Sequence, residues 1–215
     1  DKGIESGDTV SSYYDPMIAK VIAYGSDREI ARRRLITAMS DTMLVGLQTN
    51  RDFLIDALDK EDFVSGQATT AFIVEQYGDA GFQSLPNTTD LCLASLAQFK
   101  LSNLSSQQAS LGVNEELLNW STADLLESVF MYQVSGSKHT VVIRPLCQST
   151  YLVRVNDQSA VSVEVKSFDT KTMRVCMDGH YRSLLFLPGP DSRSLTVATP
   201  TKQFFVGEIS GLTGV

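Results

Sequence analysis

"TTDLCLASLAQFKLSNL", residues 88–104, has the spacing of a helix and almost no polar face. Leu91, Leu93, Leu96, Phe99 and Leu104 are large and apolar, and Cys92, Ala94 and Ala97 fill much of the space between them. After Asp90 the only charge is Lys100. A helix that is apolar nearly all round must be enclosed, by lipid or by protein. A membrane span wants about 20 predominantly apolar residues, and this stretch is broken by Ser95, Gln98, Lys100, Ser102 and Asn103. The enclosure must therefore be protein, and the rest of the chain has to supply it.

The residues after it do. From about residue 124 the pattern has a period of two. "LLESVFMYQV", "KHTVVIRPL", "STYLVRVN", "SAVSVEVKS", "TKTMRVCMD", "HYRSLLFLP", "SRSLTVATP" and "KQFFVGEIS" follow one another as eight strand candidates. Short turn-forming stretches separate them, and Asp178-Gly179 between two strand runs signals a tight hairpin. Eight consecutive antiparallel strands can remove their edges by closing on themselves. A slightly widened eight-stranded barrel needs something to fill it, and the apolar helix is suited to that. The alternative is a barrel or sandwich with the helix packed outside.

The 76 residues at the start read differently. "TVSSYYD" and "MIAKVIAYG" are rich in β-branched and aromatic residues and predict strands. "SDREIARRRLITAMSD" predicts a helix with a capping box from Ser26 to Glu29 and an apolar stripe of Ile30, Leu35, Ile36 and Met39. "TNRDFLIDALDKEDF" repeats the device with Thr49 and Asp52. "YGDAGFQSLPNTTD", rich in Gly, Pro and Asn, reads as a connection. The fold class is α+β, a small mixed α/β piece followed by an eight-stranded antiparallel barrel around a central helix.

Composition narrows the function classes. The 215 residues are 43% apolar and 20% charged, as expected of one or two globular domains. A net charge of −7 argues against nucleic acid, because phosphate binding needs clustered Lys and Arg. The one basic cluster, Arg28 and Arg32 to Arg34, reads as a solvated or partner-facing helix side. Cys92, Cys147 and Cys176 show no paired spacing and read as buried free thiols. Neither His139 nor His180 belongs to a zinc-type spacing. Glu115 and Glu116 read as a solvated pair, and the serines lie in no nucleophile elbow. On residue chemistry alone no active site is expected.

The order of motifs in the first 76 residues adds a resemblance. "SSYYDPMIAKVIAYGSDREIARRRL", followed by "VGLQTNRDFL", resembles the C-terminal end of the biotin carboxylase domain. The matching residues are Tyr13, Tyr14, Asp15, Met17, Ile18 and Lys20, then Gly25, Asp27, Arg28, Gly46, Thr49 and Asn50. The second half is similar to the BT domain of acyl-CoA carboxylase alpha subunits, a helix wrapped by eight strands that docks onto the carboxyltransferase beta subunit. Trp120, just before the first strand, fits a Trp of that pattern.

The resemblance implies four divisions. They are a carboxylase end at 1–76, a linker at 77–87, a BT domain at 88–209, and the start of a connection to a biotin carrier at 210–215. It implies the alpha subunit of a 3-methylcrotonyl-CoA type enzyme, with propionyl-CoA and geranyl-CoA types as alternatives. A free-standing barrel that binds a small ligand is the rival of another class. The full enzyme would use biotin and ATP with Mg, whereas this piece, without the ATP-grasp lid or a Met-Lys-Met motif, would be inactive alone. Lys20 in "MIAK" would be a strand lysine.

The resemblance places Asp15 and Arg34 at a subunit contact, against the plain reading of an exposed acid and a solvated Arg. It places Thr70 or Ala71 near the adenine of ATP, against structural packing. The connector at about 105–121, anchored by Leu117, Leu118 and Trp120, would meet the beta subunit. The implied partners are that subunit and other alpha-subunit domains, with no nucleic acid or membrane. The implied location is the cytoplasm, or the mitochondrial matrix in a eukaryote.

Overall fold

The structure is a computed structural model that describes residues 3–11, 13, 15–109, 126–134, 136–190 and 193–209. The chain divides into two compact units: residues 1–42 with 53–81, and residues 43–52 with 82–215. No helix among the described residues is long and apolar enough to cross a membrane.

The first unit is built on helices α1 (Arg28–Asp41), most of α2 (Arg51–Asp59), α3 (Glu61–Val64) and α4 (Phe72–Tyr77). Asp27, not Ser26, caps α1, accepting the Ile30 N–H on its side chain at 2.8 Å. An aspartate adds the charge that the positive end of a helix favours. The helix expected over 49–63 is interrupted at Lys60, whose extended backbone (ψ 140°) starts the short α3. An aromatic cluster of Phe53, Phe63, Phe72 and Tyr77 packs these helices, with Arg28 over Phe63 and Lys60 over Tyr77.

The strands expected at 9–15 and 17–25 are absent among the described residues, so Lys20 is not a strand lysine. Ile18 accepts one backbone bond, from Gly3 N–H at 3.0 Å, while Ile22 and Tyr24 stand about four-fifths exposed. A strand exists only by pairing, and β-branched composition alone does not create a neighbour. Tyr14 lies outside the described residues.

The second unit holds helix α5 (Thr88–Ala109) and strands β1 (Ser128–Val134), β2 (Ser137–Pro145), β3 (Thr150–Val155), β4 (Val161–Phe168), β5 (Thr172–Met177), β6 (His180–Pro188), β7 (Ser194–Ala198) and β8 (Gln203–Gly207). Each strand pairs antiparallel with the next in sequence order. β8 returns to β1 through a Tyr132–Glu208 bridge and an Ile209 N–H bond to the Met131 carbonyl at 2.8 Å, so the sheet nearly closes. The β5–β6 turn puts Asp178 at φ 51° and Gly179 at φ 76°. Both are left-handed, the conformation that a two-residue hairpin matching the strand twist demands.

Helix α5 lies inside. Every residue from Asp90 to Phe99 is buried, all the way round the helix. Leu91 to Phe99 share one apolar cluster with residues of all eight strands, among them Tyr132, Val141, Val153, Val163, Val175, Phe186, Val197 and Val206. Alternate strand residues point inward, as in β5 with Met173, Val175 and Met177. Asn87 and Asp90 cap the helix reciprocally, each side chain accepting the other's backbone N–H at 2.9 and 2.8 Å. At the far end the helix runs past the expected residue 104 to Ala109, so the polar "SSQQA" is helical. The rest of the connector, with Gly112, Glu115, Glu116, Leu117, Leu118, Asn119 and Trp120, and the 210–215 tail lie outside the described residues.

Candidate functional site

In the first unit the residues singled out by sequence are engaged locally. Asp15 accepts the Met17 N–H at 2.9 Å, a turn bond of the kind aspartate makes to its own chain. Arg34 donates to the Tyr24 carbonyl at 2.8 Å. Both are exposed, and no bond joins them among the described residues. Thr70 and Ala71 lie on the exposed approach to α4. There the Ala71 N–H bonds to Thr69 Oγ1 at 3.1 Å and the Ala71 carbonyl accepts from Glu75. In the Arg-bearing helix α1, Glu29 bonds Arg32 at 2.8 and 3.0 Å and Arg33 at 2.6 Å. Bonds to Arg32, then to Arg33, hold the Glu29 carboxyl down at about 2. The basic cluster is thus partly neutralised within its own helix.

Two polar assemblies in the second unit escaped sequence reasoning. The first lies where the segment Met43–Asp52 meets the β7–β8 turn. Arg51 and Asp52 are only 6% and 8% exposed, so this is a buried pair and not a surface one. Arg51 Nε and Nη2 approach Asp52 Oδ1 at 2.9 and 2.8 Å, and Nη2 also donates to the Thr199 carbonyl at 2.8 Å. Asp52 Oδ2 accepts the Gln203 backbone N–H at 2.6 Å and the Ser84 hydroxyl at 3.1 Å. Gln203 Nε2 donates to the Leu47 carbonyl at 2.7 Å. Lys202 adds bonds to Asp90 at 3.0 Å and to the Leu85 carbonyl at 3.1 Å. The sequence shows Arg51-Asp52 only as an adjacent charged pair, and Asp52 reads there as a helix cap.

The second assembly lies at the β1–β8 seam. The fully buried Tyr132 donates its hydroxyl to Gln98 Oε1 at 2.8 Å. Gln98 Nε2 donates to Glu208 at 3.0 Å and to the Arg193 carbonyl at 3.3 Å. Burial, and then the Glu208 charge, push the Tyr132 hydroxyl well above the ordinary tyrosine range. It stays protonated and remains a donor. Buried polar groups of this kind are tolerable only when satisfied.

The expectation of three buried thiols needs correcting. Cys92 is buried in α5, Cys176 is half-buried and Cys147 is exposed. Cys147 sits in the β2–β3 turn, where its N–H bonds back to the Thr150 carbonyl. His139 meets Asn156 at 3.3 Å, not His180. Among the described residues no group of three His, Cys, Asp or Glu is placed to hold a metal ion.

The described barrel is a packed structural body, and comparison with known proteins gives it a context. Residues 1–75 match the biotin carboxylase C-terminal domain. The human mitochondrial propionyl-CoA carboxylase alpha chain is 30% identical over 162 residues, 66% of this chain and 22% of the relative. The rat mitochondrial methylcrotonoyl-CoA carboxylase subunit alpha is 36% identical over 99 residues, 46% of this chain and 13% of the relative. Its Dictyostelium discoideum counterpart is 44% identical over 71 residues, 33% of this chain and 10% of the relative. The aligned part thus spans between a tenth and about a fifth of the length of these relatives. By ordered motif and by relatives of both kinds, the chain is similar to the alpha chains of propionyl-CoA and methylcrotonoyl-CoA carboxylases, and its residues 1–75 match the biotin carboxylase C-terminal domain.

Proposed function

We propose that this chain is the part of an acyl-CoA carboxylase alpha subunit in which the end of the biotin carboxylase domain, residues 1–76, gives way through 77–87 to a subunit-docking BT domain at 88–209. Residues 210–215 would begin the passage to a biotin carrier. The whole enzyme would carboxylate biotin with ATP and bicarbonate and pass the carboxyl group to 3-methylcrotonyl-CoA or a similar acyl-CoA on a carboxyltransferase beta subunit. Relatives of both the methylcrotonoyl and propionyl kinds match, which supports the class and leaves both substrates as candidates. Their mitochondrial names support the matrix as the location in a eukaryote.

The observation that carries this reading is a barrel filled by its own helix, directly following a carboxylase segment. Such a barrel offers its outside and its ends to partners and keeps its interior to itself. The described residues do not by themselves fit an ATP–Mg site. They hold no metal-ligand cluster, and the amide and carbonyl of Ala71 are engaged in the first turn of α4. Any part that Thr70 or Ala71 takes at an adenine would be as wall.

Co-expression with a carboxyltransferase beta subunit tests the proposal. The pair should co-purify, and Leu117→Ala with Leu118→Ala should weaken the complex while leaving the melting temperature nearly unchanged. Failure to co-purify with beta subunits of either substrate type would overturn the docking role. Retained affinity with a large loss of stability would move the docking surface away from 105–121.

A further inference from the structure

The segment Met43–Asp52 falls inside the span matched to the biotin carboxylase C-terminal domain, yet it folds with the barrel. It makes contact where the barrel is least secured. β8 has five residues, pairs with β7 along its length, and among the described residues returns to β1 through a single bridge and one further backbone bond. Each end of β8 is held by a buried polar group from outside the sheet. At its start Asp52 accepts the Gln203 N–H, and just past its end Gln98 of α5 holds Glu208.

We infer that the β7–β8 turn is an intramolecular docking surface whose partner is this chain's own Met43–Asp52 strap, and that Asp52 is the positioning residue that keeps β8 closed against the barrel. This inference does not depend on the docking role proposed above.

The chemistry is specific to that strap. The Asp52 carboxylate has two oxygens and divides them, Oδ1 to the Arg51 guanidinium and Oδ2 to the turn and Ser84. Arg51 then spends its own Nη2 on the Thr199 carbonyl, the other strand end of the same hairpin. The strap thus bonds both sides of the turn, Thr199 after β7 and Gln203 at the start of β8. Gly46 lets the strap take a φ of 94°, one that L side chains rarely adopt, and a Cβ there would only make ordinary contact with the Leu187 side chain at 3.8 Å. A carboxylate without its Arg, or an Arg without its carboxylate, would leave a buried charge unpaired, so the two act as one unit.

Amide hydrogen exchange on the full chain tests this, because local opening reads out strand by strand. Asp52→Asn removes the charge that pairs with Arg51, and Gln203→Ala removes only the side-chain bond to the Leu47 carbonyl. Both should speed exchange at β8 and at Ile209 by about tenfold or more, with β3–β5 amides within about twofold of wild type. If Asp52→Asn does not fold, Gln203→Ala carries the measurement. Wild-type protection of β8 in folded Asp52→Asn would overturn the role of Asp52, and wild-type protection in Gln203→Ala would overturn the docking of the strap. An equal loss of protection in every strand of Gln203→Ala would overturn it as well, by showing general weakening in place of a released strand.

Discussion

Cys92 and Cys147 show how differently one fold treats the same side chain. Cys92 lies on the enclosed helix, and burial pushes its thiol up to about 11. Cys147 is exposed in the β2–β3 turn, and its thiol is held below the usual range by Thr150 first and by the backbone of Ser149 and Thr150. The thiolate is the reactive species, so exposure and this shift act in the same direction. At pH 8 a disulfide reagent such as DTNB should label Cys147 first, and Cys147→Ser should remove the fast phase. Cys92 should react only on unfolding. A fast phase that survives Cys147→Ser with Cys176→Ser would mean that α5 is open to solvent. The sequence places Cys147 beside "VVIRPL" and so suggests burial, but Pro145 ends β2 and turns the thiol out to water.

At the scale of elements, α5 carries most of the consequence. Leu96 is fully buried in the middle of the helix, among residues drawn from all eight strands. Leu96→Ala should cost about 2–5 kcal/mol, the lost transfer energy plus an uncollapsed cavity. Denaturant melts of the two proteins measure this directly. A loss below about 1 kcal/mol would mean the site collapses freely or faces outward.

This element was legible because it lacked a polar face, which only enclosure explains. The eight strands were legible because each alternates apolar and polar residues and is bounded by turn chemistry. Residues 9–25 have strand composition too, but composition does not provide a neighbouring strand, and among the described residues they form no strand. The buried Arg51–Asp52 assembly was not legible for a related reason. Asp52 at the head of a helix satisfies the cap pattern, and only tertiary structure shows its second oxygen on Gln203, 151 positions away. The long α5 tail was missed because Ser and Gln are weak evidence against a helix already begun.

The whole barrel has the strand number of folds that carry one small ligand, and what separates it from them is its contents. An interior of eight strands has room for side chains or for a single small molecule. Here α5 takes that room, bringing Leu91, Leu93, Leu96 and Phe99 inward and closing the seam with the Gln98–Tyr132–Glu208 bonds. A hydrophobic fluorophore titrated into the native chain should therefore show no saturable binding. Its signal should rise only where the chain loses its packing, as apolar surface becomes available in loosened states. Saturable binding with one site per chain, below the melting transition, would show a ligand cavity where the structure places a helix. That result would favour the free-standing ligand binder over the docking barrel. Binding that appears only in Leu96→Ala would instead locate the new volume at Leu96 and show that the wild-type helix fills it.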